Sequence, residues 1–438
     1  MLVEFTVENF LSFKDPTTLS FEASTDTSLR GNVVEAAQET KFNLLRATGV
    51  YGANASGKSN LLHALLAMQR MVLHSVAKPP TMPIPAAAPY RLDPVVAEQP
   101  TTMEVVFLRG GVRYQYGFSV DRTRVVEEWL YASPRGKRRL LFERNPEGAP
   151  GEFKFGDSWT GEAQKLVGVT RDDILFLSTA AQFNHPMARD VVAWFGETLT
   201  STAPFPVGQS EEFFTLDRAA RDPKLKTRIL DLLRKADVGI EDFDVELRPM
   251  KEAPRFSGIP RGVLEQMSRL APAEAGELHV LEARPFHRGA APKGKKASRV
   301  PFDMNEESTG TYKLFALAGP LLHVLDHGCV LVADELDIGL HPLLTRAVVA
   351  LFHDPTVNTS GAQLLFATHD VNLLDDHELF RRDQVWLAEK AEDGSSSVRS
   401  LWDYKPRKGE NLRKGYLAGR YGGVPLVESL VGSARESR

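Results

Sequence analysis

Residues 52–59, Gly-Ala-Asn-Ala-Ser-Gly-Lys-Ser, have the types and the spacing needed to hold a chain of phosphates. They match G-x-x-x-x-G-K-[ST], a loop whose backbone N–H groups wrap the ligand. Gly52 and Gly57 carry no Cβ, so the backbone can turn tightly and come close to an anion. Lys58 places a point charge on the β- and γ-phosphates, and the Ser59 hydroxyl is an oxygen ligand for Mg²⁺. Gly52, Asn54, Ser56, Gly57, Lys58, Ser59 and Asn60 are therefore the candidate contacts to a nucleoside triphosphate. A second set of residues lies far downstream. Cys329-Val-Leu-Val-Ala-Asp-Glu335 ends in two carboxylates, Asp334 for the metal shell and Glu335 to orient and deprotonate an attacking water. Gln363-Leu-Leu-Phe-Ala-Thr-His369 ends in an imidazole that can hydrogen-bond a phosphate oxygen near neutral pH.

These groups need elements to position them. Ala47–Tyr51 reads as a short strand and Asn60–Met68 as an amphipathic helix opening at the lysine, which aims a helix N-terminus at phosphate. The runs before Asp334 and His369 are continuously apolar over strand length, as in a parallel sheet covered on both faces. Ligands of such sheets sit at the carboxyl ends of the strands, where the acids and the histidine fall. From Thr101 to Arg144 four strands alternate with turns at Gly110-Gly111, Asp121–Thr123 and Pro134–Lys137, an antiparallel meander. Pro79, Pro80, Pro83, Pro85, Pro89 and Pro94 mark a loop without regular structure. Residues from about 160 to 280 read as mostly helical, with Asp222–Lys235 showing apolar positions at helical spacing. No sustained heptads occur there, so a long coiled-coil arm is not expected. The expected organisation is an N-terminal half over 1–160 with the phosphate loop and accessory sheet, a helical insertion over 161–283, and a C-terminal half over 284–438.

Taken in series, these motifs resemble those of the ATP-binding-cassette superfamily, in the soluble branch that includes the SMC and recombination-repair ATPases. Glu307-Ser-Thr-Gly-Thr-Tyr-Lys-Leu-Phe315 is similar to the serine–glycine signature that precedes the acidic strand, and Leu336-Asp-Ile-Gly-Leu-His-Pro342 to the loop that follows it. Read alone, Ser308 is equally well a helix N-cap. Phe5–Lys14, Arg113–Val120 through Glu128–Tyr131, Leu177–Phe183, Ala236–Asp242 and the tail Gly415–Gly422 narrow the resemblance. Together they are similar to bacterial AAA-type ATPases of abortive-infection and restriction-linked systems, the RloA-like and AbiL-like proteins related to the ATPase half of OLD nucleases. The resemblance implies an α/β ABC-ATPase head, a P-loop NTPase with an antiparallel accessory sheet and an inserted helical lobe. It also implies ATP and Mg²⁺ as ligands, ATP hydrolysis, and a head-to-head homodimer stabilised by ATP. In such a dimer Ser308 and Gly310 meet the γ-phosphate held by the other subunit, Asp337 faces across, and Gln182 is the glutamine that senses Mg²⁺ and the attacking water. Repair ATPases carry a basic residue inside the opening Asn-Phe-x-Ser, where this chain has Leu11; Lys14 is the nearest cation.

Composition bounds the remaining possibilities. The chain of 438 residues is 42% hydrophobic and 25% charged, as in an ordinary soluble globular protein. One cysteine, Cys329, excludes a disulfide within one chain and fits a reducing cytoplasm. The N-terminus has acids where a signal peptide would carry basic residues, and the most apolar stretch, Leu314–Leu325, is too short for a bilayer and contains Pro320 and His323. No membrane is expected. The net charge of −4 argues against a surface that coats nucleic acid. Local charge differs: Arg284, Arg288, Lys293, Lys295, Lys296 and Arg299 precede the signature in what reads as a mobile loop, either a solvated hairpin tip or a contact to a phosphate backbone. A second basic cluster comprises Lys405, Arg407, Lys408, Arg413, Lys414 and Arg420. Asp375-Asp-His-Glu378 reads as a polar capping turn rather than a metal site. Two functions follow: an ATP-driven switch of anti-phage defence that controls a separately encoded, nuclease-like effector, or an SMC-like DNA-binding clamp for repair. The lack of a coiled coil favours the switch, and too little chain follows His369 for an OLD-type nuclease domain.

Overall fold

The computed structural model describes residues 1–35, 42–146, 151–161, 163–202, 211–249, 279–291, 297–375, 378–407 and 409–424. Lys293, Lys295, Lys296, Lys408 and the middle of the Asp375–Glu378 turn lie outside them. In chain order the strands begin with β1 (Leu2–Glu8), β2 (Thr17–Ser20), β3 (Val33–Glu35), β4 (Asn43–Leu45) and β5 (Ala47–Gly52). Then come β6 (Thr101–Arg109), β7 (Val112–Val120), β8 (Val125–Ser133), β9 (Arg139–Arg144), β10 (Phe153–Phe155) and β11 (Leu199–Ser201). The last are β12 (Ile240–Pro249), β13 (His279–Arg288), β14 (Arg299–Pro301), β15 (Val330–Ala333), β16 (Gln363–Ala367), β17 (Val385–Lys390) and β18 (Ser396–Ser400). The helices are α1 (Lys58–His74), α2 (Ala163–Val169), α3 (Phe176–Gln182), α4 (Pro186–Glu197), α5 (Glu211–Arg221), α6 (Pro223–Lys235), α7 (Thr309–His327), α8 (Pro342–His353) and α9 (Leu412–Leu417).

Two compact units emerge. The first comprises residues 1–201, 327–336 and 346–438, and the second residues 202–326 and 337–345. The sequence boundaries at 160 and 283 fall elsewhere. Helices α3 and α4 pack in the first unit, because Phe176, Trp194 and Phe195 join the aromatic core of the meander, with Phe107 and Trp194 stacked at 4.1 Å.

The first unit holds two sheets. One has the order β11-β15-β16-β5-β17-β18, parallel throughout except for the β17–β18 pair. β5, β15 and β16 are buried along their whole length, which is why the runs before Asp334 and His369 are apolar rather than alternating. The other sheet, β10-β9-β8-β7-β6-β1-β2, is the expected antiparallel meander extended by β1 and β2. Its β6–β7 turn places Gly110 and Gly111 at φ 57° and 76°, the positive pair that a two-residue hairpin turn demands. The proline loop is irregular as expected and is pinned to the end of β1. Asn9 Nδ2 donates to the carbonyls of Val96 and Gln99, and Asn9 Oδ1 accepts from Tyr90 N–H.

The second unit departs from the helical reading. Residues 240–249 form β12, which pairs with β13 over its length. The signal was present: Asp242-Phe-Asp-Val-Glu-Leu-Arg248 alternates polar and apolar residues with a period of two. Arg284 and Arg288 lie on β13 and Arg299 on β14, so the basic segment begins and ends as an antiparallel hairpin rather than as a loop. α6 matches its expected span, with the Asp222 carboxylate accepting from Lys224 and Leu225 N–H at its start. The core here is built from Leu216, Ile229, Leu233, Phe243, Leu314 and Phe315.

Helix α7 continues through Pro320, whose missing N–H leaves the Ala316 carbonyl without its helical donor. The Thr215 hydroxyl on α5 fills that vacancy, donating to Ala316 O at 2.6 Å while accepting from Gly319 N–H at 3.0 Å. A Cβ at position 319 would lie 2.4 Å from Thr215 Oγ1, so Gly319 is what lets α5 approach this closely.

Candidate nucleotide site

The phosphate loop leaves β5 at the carboxyl end of the parallel sheet and enters α1 at Lys58. Gly52 and Gly57 have φ of 154° and 105°, and Ala55 a φ of 61°. A Cβ on Gly52 would come within 2.5 Å of Ala388 O and 2.6 Å of Ser56 Oγ; one on Gly57 would meet Ser396 Oγ at 2.5 Å. Both positions are closed to any side chain by walls as well as by torsion. Lys58 is buried, and its ammonium donates to Gly52 O at 2.8 Å and Ala53 O at 2.9 Å. The Ser56 hydroxyl is buried inside the loop with no hydrogen-bond partner among the described residues. Asn54 is exposed on the loop. Asn60 Nδ2 donates to Ser12 Oγ at 2.8 Å, tying the first turn of α1 to the segment after β1.

The acidic pair arrives on the neighbouring element. Asp334 follows the last residue of β15, and its Oδ1 accepts from Ser59 Oγ at 3.1 Å. Two oxygen donors of this kind, one neutral and one anionic, suit a hard cation such as Mg²⁺. Glu335 is exposed and holds φ 49°, a left-handed conformation uncommon for a side chain of its length. The next residue is anchored, with Leu336 N–H donating to Ala367 O. His369 is exposed just past β16, and the residue before it is locked by Thr368 N–H donating to Val50 O. The loop, Asp334, Glu335 and His369 are thus set at the ends of three adjoining strands, β5, β15 and β16.

Ser308, Gly310 and Asp337 belong to the second unit. The Ser308 hydroxyl accepts from Thr311 N–H at 3.1 Å, so it does cap α7. A Cβ on Gly310 would lie 2.5 Å from Gly339 O, which brings the signature into contact with the Leu336–Pro342 loop.

One expectation is corrected. Gln182 does not join the loop: it ends α3 and lines a groove with Val72, Leu73 and Val76, near the C-terminal end of α1. At 1.5 Å per helical residue that is roughly 20 Å from Lys58, beyond the reach of a metal at Ser59. Lys14, the cation nearest Leu11, pairs with Asp93 at 3.0 Å and Asp393 at 3.6 Å. The hydrogen bond to Asp93 pushes its ammonium above the ordinary value. The structure also adds residues that sequence reasoning passed over. Ser12 frames the loop through its hydroxyl, which accepts from Asn60 Nδ2, and through its carbonyl, which accepts from Ser396 N–H at 2.7 Å. The opening Asn-Phe-x-Ser carried a signal for Ser12; Ser396, in a plain serine run, carried none.

Comparison with known proteins adds the following. A family described as "AAA domain, putative AbiEii toxin, Type IV TA system" matches residues 47–375. No curated protein matches the chain. Among solved structures, the chain is similar to an SmcHead bound to the C-winged helix domain of ScpA, at 14% identity and a TM-score of 0.42, covering 92% of this chain and 99% of that one. It is also similar to an SMC head domain from Thermotoga maritima, at 13% identity and a TM-score of 0.37, covering 91% and 98%. Among the described residues no helix is long and apolar enough to cross a membrane.

Proposed function

Because the chain belongs to the family of AAA domains described as putative AbiEii toxin of type IV toxin–antitoxin systems, we propose that it binds ATP and hydrolyses it as a molecular switch of bacterial anti-phage defence. The observation that carries this reading is the 3.1 Å contact between Ser59 and Asp334, at the mouth of a loop walled so that only glycine fits at 52 and 57. Ser59 and Asp334 would hold Mg²⁺, which supplies charge neutralisation at the β- and γ-phosphates. Lys58 turns from its own loop's carbonyls to the phosphate chain. Glu335 takes the proton of the attacking water, and His369 hydrogen-bonds the γ-phosphate. Ser308 and Gly310 complete the site of a second copy, and Asp337 faces across, so two chains meet head to head through an isologous contact. The RloA-like and AbiL-like resemblance adds a separately encoded, nuclease-like effector as the reader of the cycle. The competing reading, an SMC-like DNA clamp, would draw on the cations around β13 and β14. There Arg284 is paired with Glu246 and Arg299 with Asp242, which leaves less free charge for a phosphate backbone.

The decisive experiment replaces Glu335 with Gln. The amide keeps the shape but cannot take a proton, so turnover should fall by about 10²-fold or more with ATP affinity retained. Light scattering should then show a dimer with saturating ATP. Turnover at the parent rate would remove Glu335 as the base, and a persistent monomer would remove the shared site.

A further inference from the structure

Residues 411–423 fold back onto the start of the phosphate loop. Gly423 lies beside Gly52: a Cβ on it would stand 3.7 Å from Gly52 Cα and 3.4 Å from Ala388 O, the same carbonyl that walls Gly52. Gly423 itself is held by Tyr416 on α9, whose hydroxyl donates to Gly423 O at 2.9 Å. The Tyr416 ring meets Tyr51, the residue before Gly52, edge to face at 6.5 Å. Burial pushes the Tyr416 phenol above its ordinary value, so it stays a protonated donor. The other end of α9 is tied to the turn that follows His369, with Asn411 Nδ2 donating to Asp375 Oδ1 at 2.7 Å and Arg413 paired to Asp375 at 3.4 Å. One short tail therefore touches both the first residue of the loop and the segment beyond the γ-phosphate histidine.

We propose that Tyr416 and Gly423 are positioning residues for the phosphate loop, clasping Gly52 in the torsion that aims the loop's N–H groups at a nucleotide. Its consequence for affinity rests on ATP being the ligand. A clasp acts through Gly52 rather than on the phosphates, so its loss should appear in binding and in the loop's own mobility, not in the chemical step.

The test uses the full chain with Tyr416→Phe, which removes one oxygen from a buried ring, and Gly423→Ala. In ligand-free protein, amide hydrogen exchange over residues 50–57 should quicken in both. Affinity for a non-hydrolysable ATP analogue with Mg²⁺ should fall about fivefold in Tyr416→Phe, the worth of one hydrogen bond, and further in Gly423→Ala. Leu417→Ala, exposed on the same helix, should change neither. Should Gly423→Ala fail to fold, Tyr416→Phe alone decides. Unchanged exchange in Tyr416→Phe overturns the clasp whether or not the parent binds the analogue. A parent that binds no analogue, with exchange quickened in the variant, overturns the ATP reading and leaves the clasp standing.

Discussion

Ser59 Oγ donates to Asp334 Oδ1 across 3.1 Å, joining the first turn of α1 to the residue after β15. The bond already brings together the two oxygens that would ligand the proposed magnesium ion, although the residues come from opposite halves of the chain. Ser59→Ala should weaken Mg²⁺-dependent ATP binding about tenfold, and Asp334→Asn by more, since it removes a charge as well as a ligand. Titration with ATP in the presence and absence of Mg²⁺ checks this; equal losses under both conditions would argue against a metal role.

Glu335, the proposed base, holds φ 49°. Replacing it with Gly should abolish turnover while raising stability by up to about 1 kcal/mol, because only the side chain makes that torsion costly. Chemical denaturation of the two proteins gives the answer, and a less stable variant would show that the conformation is not strained.

Gln182→Ala should leave Mg²⁺-dependent ATP turnover within about twofold of the parent, a change under 0.5 kcal/mol. Its place beside Val72 and Val76, one helix length from Lys58, is the reason. A loss comparable to that of Asp334→Asn would return it to the metal shell.

Thr215 and Pro320 should be energetically coupled. Thr215→Val strips the Ala316 carbonyl of its donor and should cost about 1–3 kcal/mol. Pro320→Ala supplies an N–H that can bond Ala316 O within α7, so the double variant should recover part of the loss. A double-mutant cycle with no interaction energy would mean that the hydroxyl is not substituting for the missing amide.

His353 sets a pH dependence. Burial, with a smaller contribution from the Arg46 charge, lowers its imidazole from 6.5 to about 3, and its Nε2 sits 3.0 Å from Gln384 Nε2, which must donate to it. The folded chain therefore keeps it neutral where the unfolded chain would protonate it. Stability from this group is fully present above about pH 6.5 and is lost as pH falls toward 3, at up to about 1.4 kcal/mol per pH unit. Denaturation midpoints at pH 7 and pH 5 should converge in His353→Leu relative to the parent; an unaltered slope would assign the acid sensitivity to other groups.

Much of the site was legible because its chemistry is local. Glycines at 52 and 57, a lysine and a hydroxyl within eight residues, and apolar runs that end in acid or imidazole all follow from what one strand or one turn must do. β12 was legible too, since Phe243, Val245 and Leu247 alternate with charged residues. The helical expectation overrode that period. Gln182 could not be placed, because a glutamine at the end of a short helix carries no mark of which end of α1 that helix packs against; Ser178 Oγ bonding Val72 O decides it, and is a tertiary fact. The unit boundaries were hidden for a similar reason: α3 and α4 are helices like α5 and α6, and only their aromatic partners, Phe142 on β9 for α3 and Phe107 and Tyr116 on β6 and β7 for α4, assign them elsewhere.

The resting contacts of Lys58 bear on which anions the loop rejects. Its ammonium is already satisfied by two carbonyls of its own loop, Gly52 O and Ala53 O. A lone phosphate or sulfate must displace both bonds and offers one cluster of oxygens in return. A triphosphate spreads its charge along the whole loop and onto Ser59 and Asp334 as well. Any anion would thus have to displace an occupant that the loop carries within itself, so discrimination would come from what the ligand must displace as much as from what it can touch.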